Sequence, residues 1–175
     1  AGELLIATMG SGIIALDPNT KERREFDSQI ISPNVMKIYI DKEARTWVGT
    51  AYDGILVYSN EDKLEKIYQF DPTDSTSLSS NEVRSFFQDS KGNMWIGTED
   101  AGLNLWRENG KFERIGVDDG LISNSVMAII EDNKGIIWIS TFGGITRLSK
   151  NGDLLSSFDF RTFQNTNQFN QDAIF

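Results

Sequence analysis

Three runs of the sequence set an acid six residues before a tryptophan and a second acid or aromatic shortly after it: DKEARTWVGTAYDG (41–54), DSKGNMWIGTEDAG (89–102) and DNKGIIWISTFGG (132–144). The residues that follow the tryptophans differ from copy to copy, and they carry the chemistry: Tyr52, Asp53, Glu99, Asp100 and Phe142. Carboxylates beside aromatic rings suit a sugar, whose hydroxyls seek hydrogen-bond partners and whose C–H faces stack on rings. The competing reading makes them solvated turn residues. Glycoside hydrolysis needs two carboxyl groups at a defined separation around a cleft, so a glycosidase or lyase is the remote alternative and no catalytic residue is assigned. Asp71 with Asp74, or Asp118 with Asp119, lacks the ligand spacing of a calcium loop, and neither metal nor cofactor is expected.

The composition narrows the chemistry further. With no histidine among 175 residues, the chain has no Ser-His-Asp or Cys-His activation, no usual zinc site and no phospho-accepting histidine. With no cysteine it has no disulfide framework. A net charge of −9, unrelieved by any Lys/Arg cluster, opposes nonspecific nucleic-acid binding. No apolar run reaches the roughly 18 residues of a membrane span, and the start AGELLIATMG lacks the basic region of a signal peptide. A membrane link is therefore expected only through parts of a parent protein outside this chain.

The elements that must hold these residues come from the repeat. Trp47, Trp95 and Trp138 are spaced by 48 and 43 residues, and Leu5 stands 42 before the first, the period of a propeller blade. A small residue and a threonine follow at Gly49-Thr50, Gly97-Thr98 and Ser140-Thr141, with Ala7-Thr8 as the fourth copy. Each copy reads as four short strands with Gly and Asn/Asp turns between them. The first (VMKIYID, VRSFFQD, VMAIIED) is expected to be the most buried, and the last (KLEKIYQF, GKFERI) is charged, as suits an exposed outer edge. The fold class is all-β: about four blades of four antiparallel strands, a fragment of a larger β-propeller.

The blades are assigned as a partial blade 1–30, blades 31–70, 81–116 and 124–160, and the start of a next or closing blade at 163–175. Trp47, Trp95, Trp138, Gly49 and Gly97 are expected to be structural anchors. The glycines allow sheets to approach, and the tryptophans pack between blades. Tyr58, Trp106 and Leu148 are expected in the core. Asp41, Asp89 and Asp132 are expected to accept turn N–H bonds. The last segment closes a ring within one chain, pairs between chains, or leaves raw edges that promote self-association.

The run VRSFFQDSKGNMWIGTEDAGLNLW (83–106) with DGLISNSV (119–126) resembles the two-component regulator propeller repeat. The resemblance covers nearly the whole chain. Departures are Leu5 for the tryptophan, DKEART without its hairpin glycine, and an inserted DPTDSTSLSS (71–80). It implies a periplasmic sensor segment of a hybrid two-component regulator of the Bacteroides type, responding to polysaccharide breakdown products, with an oligosaccharide as ligand. The tail FQNTNQFNQDAI (163–174) is similar to the end of such propellers, ahead of an immunoglobulin-like domain. The alternative is an architectural or dimerisation module with the ligand bound elsewhere. By strand alternation, the loops before strand one and between strands two and three share one face of the disc, which is where a ligand is expected.

Overall fold

The computed structural model of the chain describes residues 2–26 and 32–160. The first sheet holds β1 (Leu4–Ala7), β2 (Ile13–Leu16) and β3 (Arg23–Glu25). The second holds β4 (Val35–Ile40), β5 (Thr46–Thr50), β6 (Ile55–Tyr58) and β7 (Leu64–Tyr68). The third holds β8 (Val83–Gln88), β9 (Met94–Thr98), β10 (Leu103–Trp106) and β11 (Phe112–Ile115). The fourth holds β12 (Val126–Glu131), β13 (Ile137–Thr141), β14 (Gly144–Leu148) and β15 (Leu154–Asp159). All pairings within them are antiparallel between consecutive strands. The expected closing strand at 163–175 and part of the loop 27–34 lie outside the described residues.

Successive sheets pack face to face. Ile13, Val48 and Leu56 fill the layer between the first and second. Trp47, Ile55, Phe86 and Ile96 fill the next, and Trp95, Leu103, Ile129 and Ile139 the third. Trp47 and Trp95 are 1% and 0% exposed. Close approach depends on the small residue two positions later: a Cβ on Gly97 would collide with Ser85 Oγ and lie 2.5 Å from Val126 Cγ1. The strands first in each full blade, β4, β8 and β12, lie side by side.

Each tryptophan is fixed by its hairpin. Asp89 Oδ1 accepts the backbone N–H groups of Lys91 and Asn93 at 3.0 and 2.8 Å, and its Oδ2 accepts the Trp95 indole N–H at 3.0 Å. Asp41 does the same for Glu43, Arg45 and Trp47, and Asp132 for Lys134, Ile136 and Trp138. One carboxylate thus shapes the turn and satisfies a donor that packing hides from water. The Trp138 indole and the Ile136 N–H hold the Asp132 carboxyl below its ordinary value.

Strand one is not the most buried, contrary to the sequence expectation. β5, β6 and β9 are buried throughout, whereas β4 and β12 alternate between buried and exposed positions. The middle strands have a strand on each side and a sheet on each face, and the first strand has a free inner edge. Each first strand also opens with a β-bulge, between Val35 and Lys37, Val83 and Ser85, and Val126 and Ala128. The bulges leave Met36, Arg84 and Met127 out of register, and such bulges re-aim a side chain.

Candidate functional site

The loop face is assembled by repeated backbone bonds. In the turn after each second strand the threonine hydroxyl donates to the glycine carbonyl that begins strand three: Thr50 to Gly54 at 2.9 Å, Thr98 to Gly102 at 2.8 Å and Thr141 to Gly144 at 3.0 Å. The glycine is required. Gly102 has φ of 80°, and a Cβ there would collide with the Ile115 carbonyl oxygen of β11. The turn is then tied to the segment entering strand one, Ala51 N to Asn34 O at 3.0 Å, Glu99 N to Glu82 O at 3.0 Å and Phe142 N to Ser125 O at 3.1 Å. The two kinds of loop therefore share one face.

At the tips of these turns Tyr52 and Phe142 are 69% and 78% exposed, a large ring area left in water. Asp100 is exposed and Asp53 half-buried. Glu99 is already engaged, in an ion pair with the bulge residue Arg84 and as acceptor from Ser125 Oγ at 3.3 Å. No hydrogen bond or ion pair among the described residues joins Tyr52, Asp53, Asp100 and Phe142 to one another. The structure thus displays the five on one face, and the pair that sequence did not anticipate is Arg84 with Glu99. Its signal, a basic residue at the second position of strand one, was readable. The bulge that turns it was not.

Two of the remaining acidic candidates make local turn bonds. Asp71 and Asp74 each accept from a threonine two residues on, Thr73 and Thr76, and these bonds lower both carboxyl pKa values. Arg114 of β11 holds the same insertion through Ser77 O at 3.0 Å and Asp74 O at 3.0 Å. Among the described residues no group of three or more acidic side chains is placed to hold a metal ion. None of the described helices is long and apolar enough to cross a membrane.

Trp106 departs from its expected core role. Its equivalents Tyr58 and Leu148 are buried, but Trp106 is only half-buried and lines a cleft of about 320 Å³ between the second and third sheets. The cleft opens on the hairpin side, away from the loop face. Trp138 is likewise half-buried, on the outer face of the fourth sheet beside Ile130, which is 39% exposed. Arg147 lies over its ring at 4.8 Å. The equivalent row in the third sheet, Phe87, Trp95 and Leu105, is covered by the fourth.

Stacked four-stranded meanders with converging first strands define this chain as blades of a β-propeller. The family model for the two component regulator propeller matches residues 77–100 and 120–143. Those two segments carry that family's repeat, as the sequence pattern implies. Among solved structures it is similar to the extracellular domain of a protein described as a hybrid two component system, BT3049 from B. thetaiotaomicron, with TM-score 0.74 and 26% identity over 91% of this chain and 22% of that one. The corresponding BT4673 domain from the same organism gives TM-score 0.74 and 21% identity over 93% of this chain and 23% of that one. A virginiamycin B lyase from Staphylococcus aureus shares the fold, with TM-score 0.64 and 12% identity over 90% of this chain and 55% of that one. Among curated proteins none matches the sequence. The chain spans less than a quarter of the B. thetaiotaomicron domains. It is a propeller module of the kind from which those extracellular domains are built.

Proposed function

We propose that the chain is a non-catalytic sensor segment of a hybrid two-component regulator, lying in the periplasm as part of an inner-membrane receptor. Its loop face contacts carbohydrate breakdown products, and contact is relayed by changing how propellers pack across a receptor dimer. The observation that carries this is the exposure of Tyr52 and Phe142 at equivalent turns of one face, beside the Arg84–Glu99 pair. Exposed rings next to fixed polar groups fit a sugar better than they fit folding. A non-catalytic role is supported by the engagement of Glu99 and the lack of histidine. Signalling requires the ligand to bind one packing better than another, since equal affinity shifts nothing.

Titration calorimetry of the chain with oligosaccharides released from a panel of polysaccharides tests the reading. Binding that weakens at least about tenfold, or 1.4 kcal/mol, in the Tyr52→Ala/Phe142→Ala double variant is expected. Binding indifferent to that variant, or none with any oligosaccharide, retires it. A second reading, that the module is architectural, is favoured by the half-buried Trp138 and partly exposed Ile130 on the outer face of the fourth sheet. In that case self-association through blade edges and faces dominates, and light scattering shows a mass that rises with concentration.

A further inference from the structure

The repeat uses the two faces of each sheet differently. One face presents the tryptophan of strand two, and the opposite face presents the residues on either side of it. Between the second and third sheets Trp47 packs in one cluster with Met94 and Ile96, and between the third and fourth Trp95 packs with Ile137 and Ile139. None of these six side chains is more than 1% exposed. Each layer is therefore closed by two unlike surfaces, a tryptophan face from one sheet and a flanking face from the next.

The two outermost sheets each keep one of these surfaces open. On the first sheet Leu5 takes the tryptophan's position and packs with Ile13 toward the second sheet. Leu4 and Ile6 face the other way, opposite Leu16 and Ile14 in the strand register. They are 54% and 37% exposed, although they stand where Met94 and Ile96 are sealed. On the fourth sheet the open surface is the tryptophan face, where half-buried Trp138 lies between Ile130 and Arg147 in register. One chain thus carries both halves of a layer, at its opposite ends. Apolar sheet faces left in water mark sites of association.

We propose that these two faces dock on each other between copies of this chain, the fourth sheet of one copy stacking on the first sheet of the next as the second stacks on the third. The partner is a second copy because the layer it completes already recurs within the chain, and the flanking face that fits Trp138 is the chain's own. This rests on the architectural reading and names its contact as two unlike sheet faces joined head to tail. Such a contact is heterologous: it uses one face of each copy and leaves the other free to bind again. Assembly then grows with concentration and stops only if the rotation between copies closes a ring.

The test is complementation, read by light scattering on the 175-residue chain. Ile6→Glu sets a charge on the first-sheet face and Ile130→Glu sets one on the fourth-sheet face. Both positions are exposed, so each variant is expected to keep a cooperative urea melt; where one does not, Leu4→Glu or Ile130→Ser takes its place. The wild-type mass is expected to rise with concentration. Each variant alone is expected to stay monomeric over the same range, its apparent dissociation constant raised at least about 30-fold by the unpaired charge. An equimolar mixture is expected to form a 1:1 dimer and nothing larger, because Ile6→Glu keeps the fourth-sheet face and Ile130→Glu keeps the first-sheet face. A wild type that is monomeric at every concentration overturns this proposal and the architectural reading together. Wild-type association that either variant leaves intact, or that the mixture does not restore, overturns this proposal alone, since pairing of strand edges or of like faces predicts no rescue.

Discussion

The cleft between the second and third sheets and the cleft between the third and fourth are made by the same motif and end differently. In the second of these Trp95 is covered by Leu148, Ile115 and the Gly152 turn, whose built Cβ lies 3.4 Å from Ile115 Cδ1 and 3.8 Å from the Trp95 ring. In the first the equivalent positions are Trp106, Tyr68 and Gly110, and Trp47 is stacked with Tyr68 and edge-on to Trp106 at 5.3 Å. Here the larger side chains border open space: Trp106 stays half-buried, with the Arg45 guanidinium 5.7 Å from both its ring and that of Trp47. The repeat dictates the tryptophan and its aspartate; the neighbours of that pair decide whether the cleft is core or surface.

Three experiments press on that contrast. Trp95→Ala is expected to remove about 3–5 kcal/mol of stability, the cost of emptying a closed aromatic site, while Trp106→Leu costs about 1 kcal/mol; equal losses in urea melts end the distinction between the clefts. Ala44→Gly is expected to raise stability by up to about 1 kcal/mol by relieving a left-handed alanine, and Gly92→Ala to lower it. The smallest effect is electrostatic. Trp138 and the turn amides favour the ionised form of Asp132, so its contribution is complete above the ordinary carboxylate pKa and is lost as pH falls through the depressed folded value. The melting-temperature difference between the wild type and Asp132→Asn is therefore expected to shrink on acidification, and a constant gap contradicts the linkage.

Much of the fold was legible because period and position coincide. The recurrence of Trp47, Trp95 and Trp138, each followed two and three positions on by a small residue and a threonine, marks the second strand, and glycines at 54, 102 and 144 mark the third. What resisted reading were effects of register and tertiary neighbourhood. The bulges that turn Met36, Arg84 and Met127 leave no sequence mark, so strand one was expected to be more buried than it is. Repeat alignment equates Trp106 with Leu148 and hides the cleft, whose walls come from five separated stretches of chain. The missing glycine of DKEART was visible, but only the structure shows that Arg45 borders a cavity. Of the loop-face residues, the exposure of Tyr52 and Phe142 followed from the repeat, while the pairing of Glu99 with Arg84 depended on the bulge.

A single side chain closes the passage from one blade to the next. Asn81 Oδ1 accepts the Phe70 N–H at 2.7 Å across 11 residues, and Asn124 Oδ1 accepts the Val117 N–H at 3.0 Å across 7. The backbone carbonyls of the same asparagines take the N–H groups of Gly54 and Gly102, at 3.0 and 2.9 Å. The same clasp fits crossings of unequal length, so whatever lies inside it can lengthen, shorten or change composition while both sheets keep their spacing. Novelty can accumulate on this surface of the disc without renegotiating its frame.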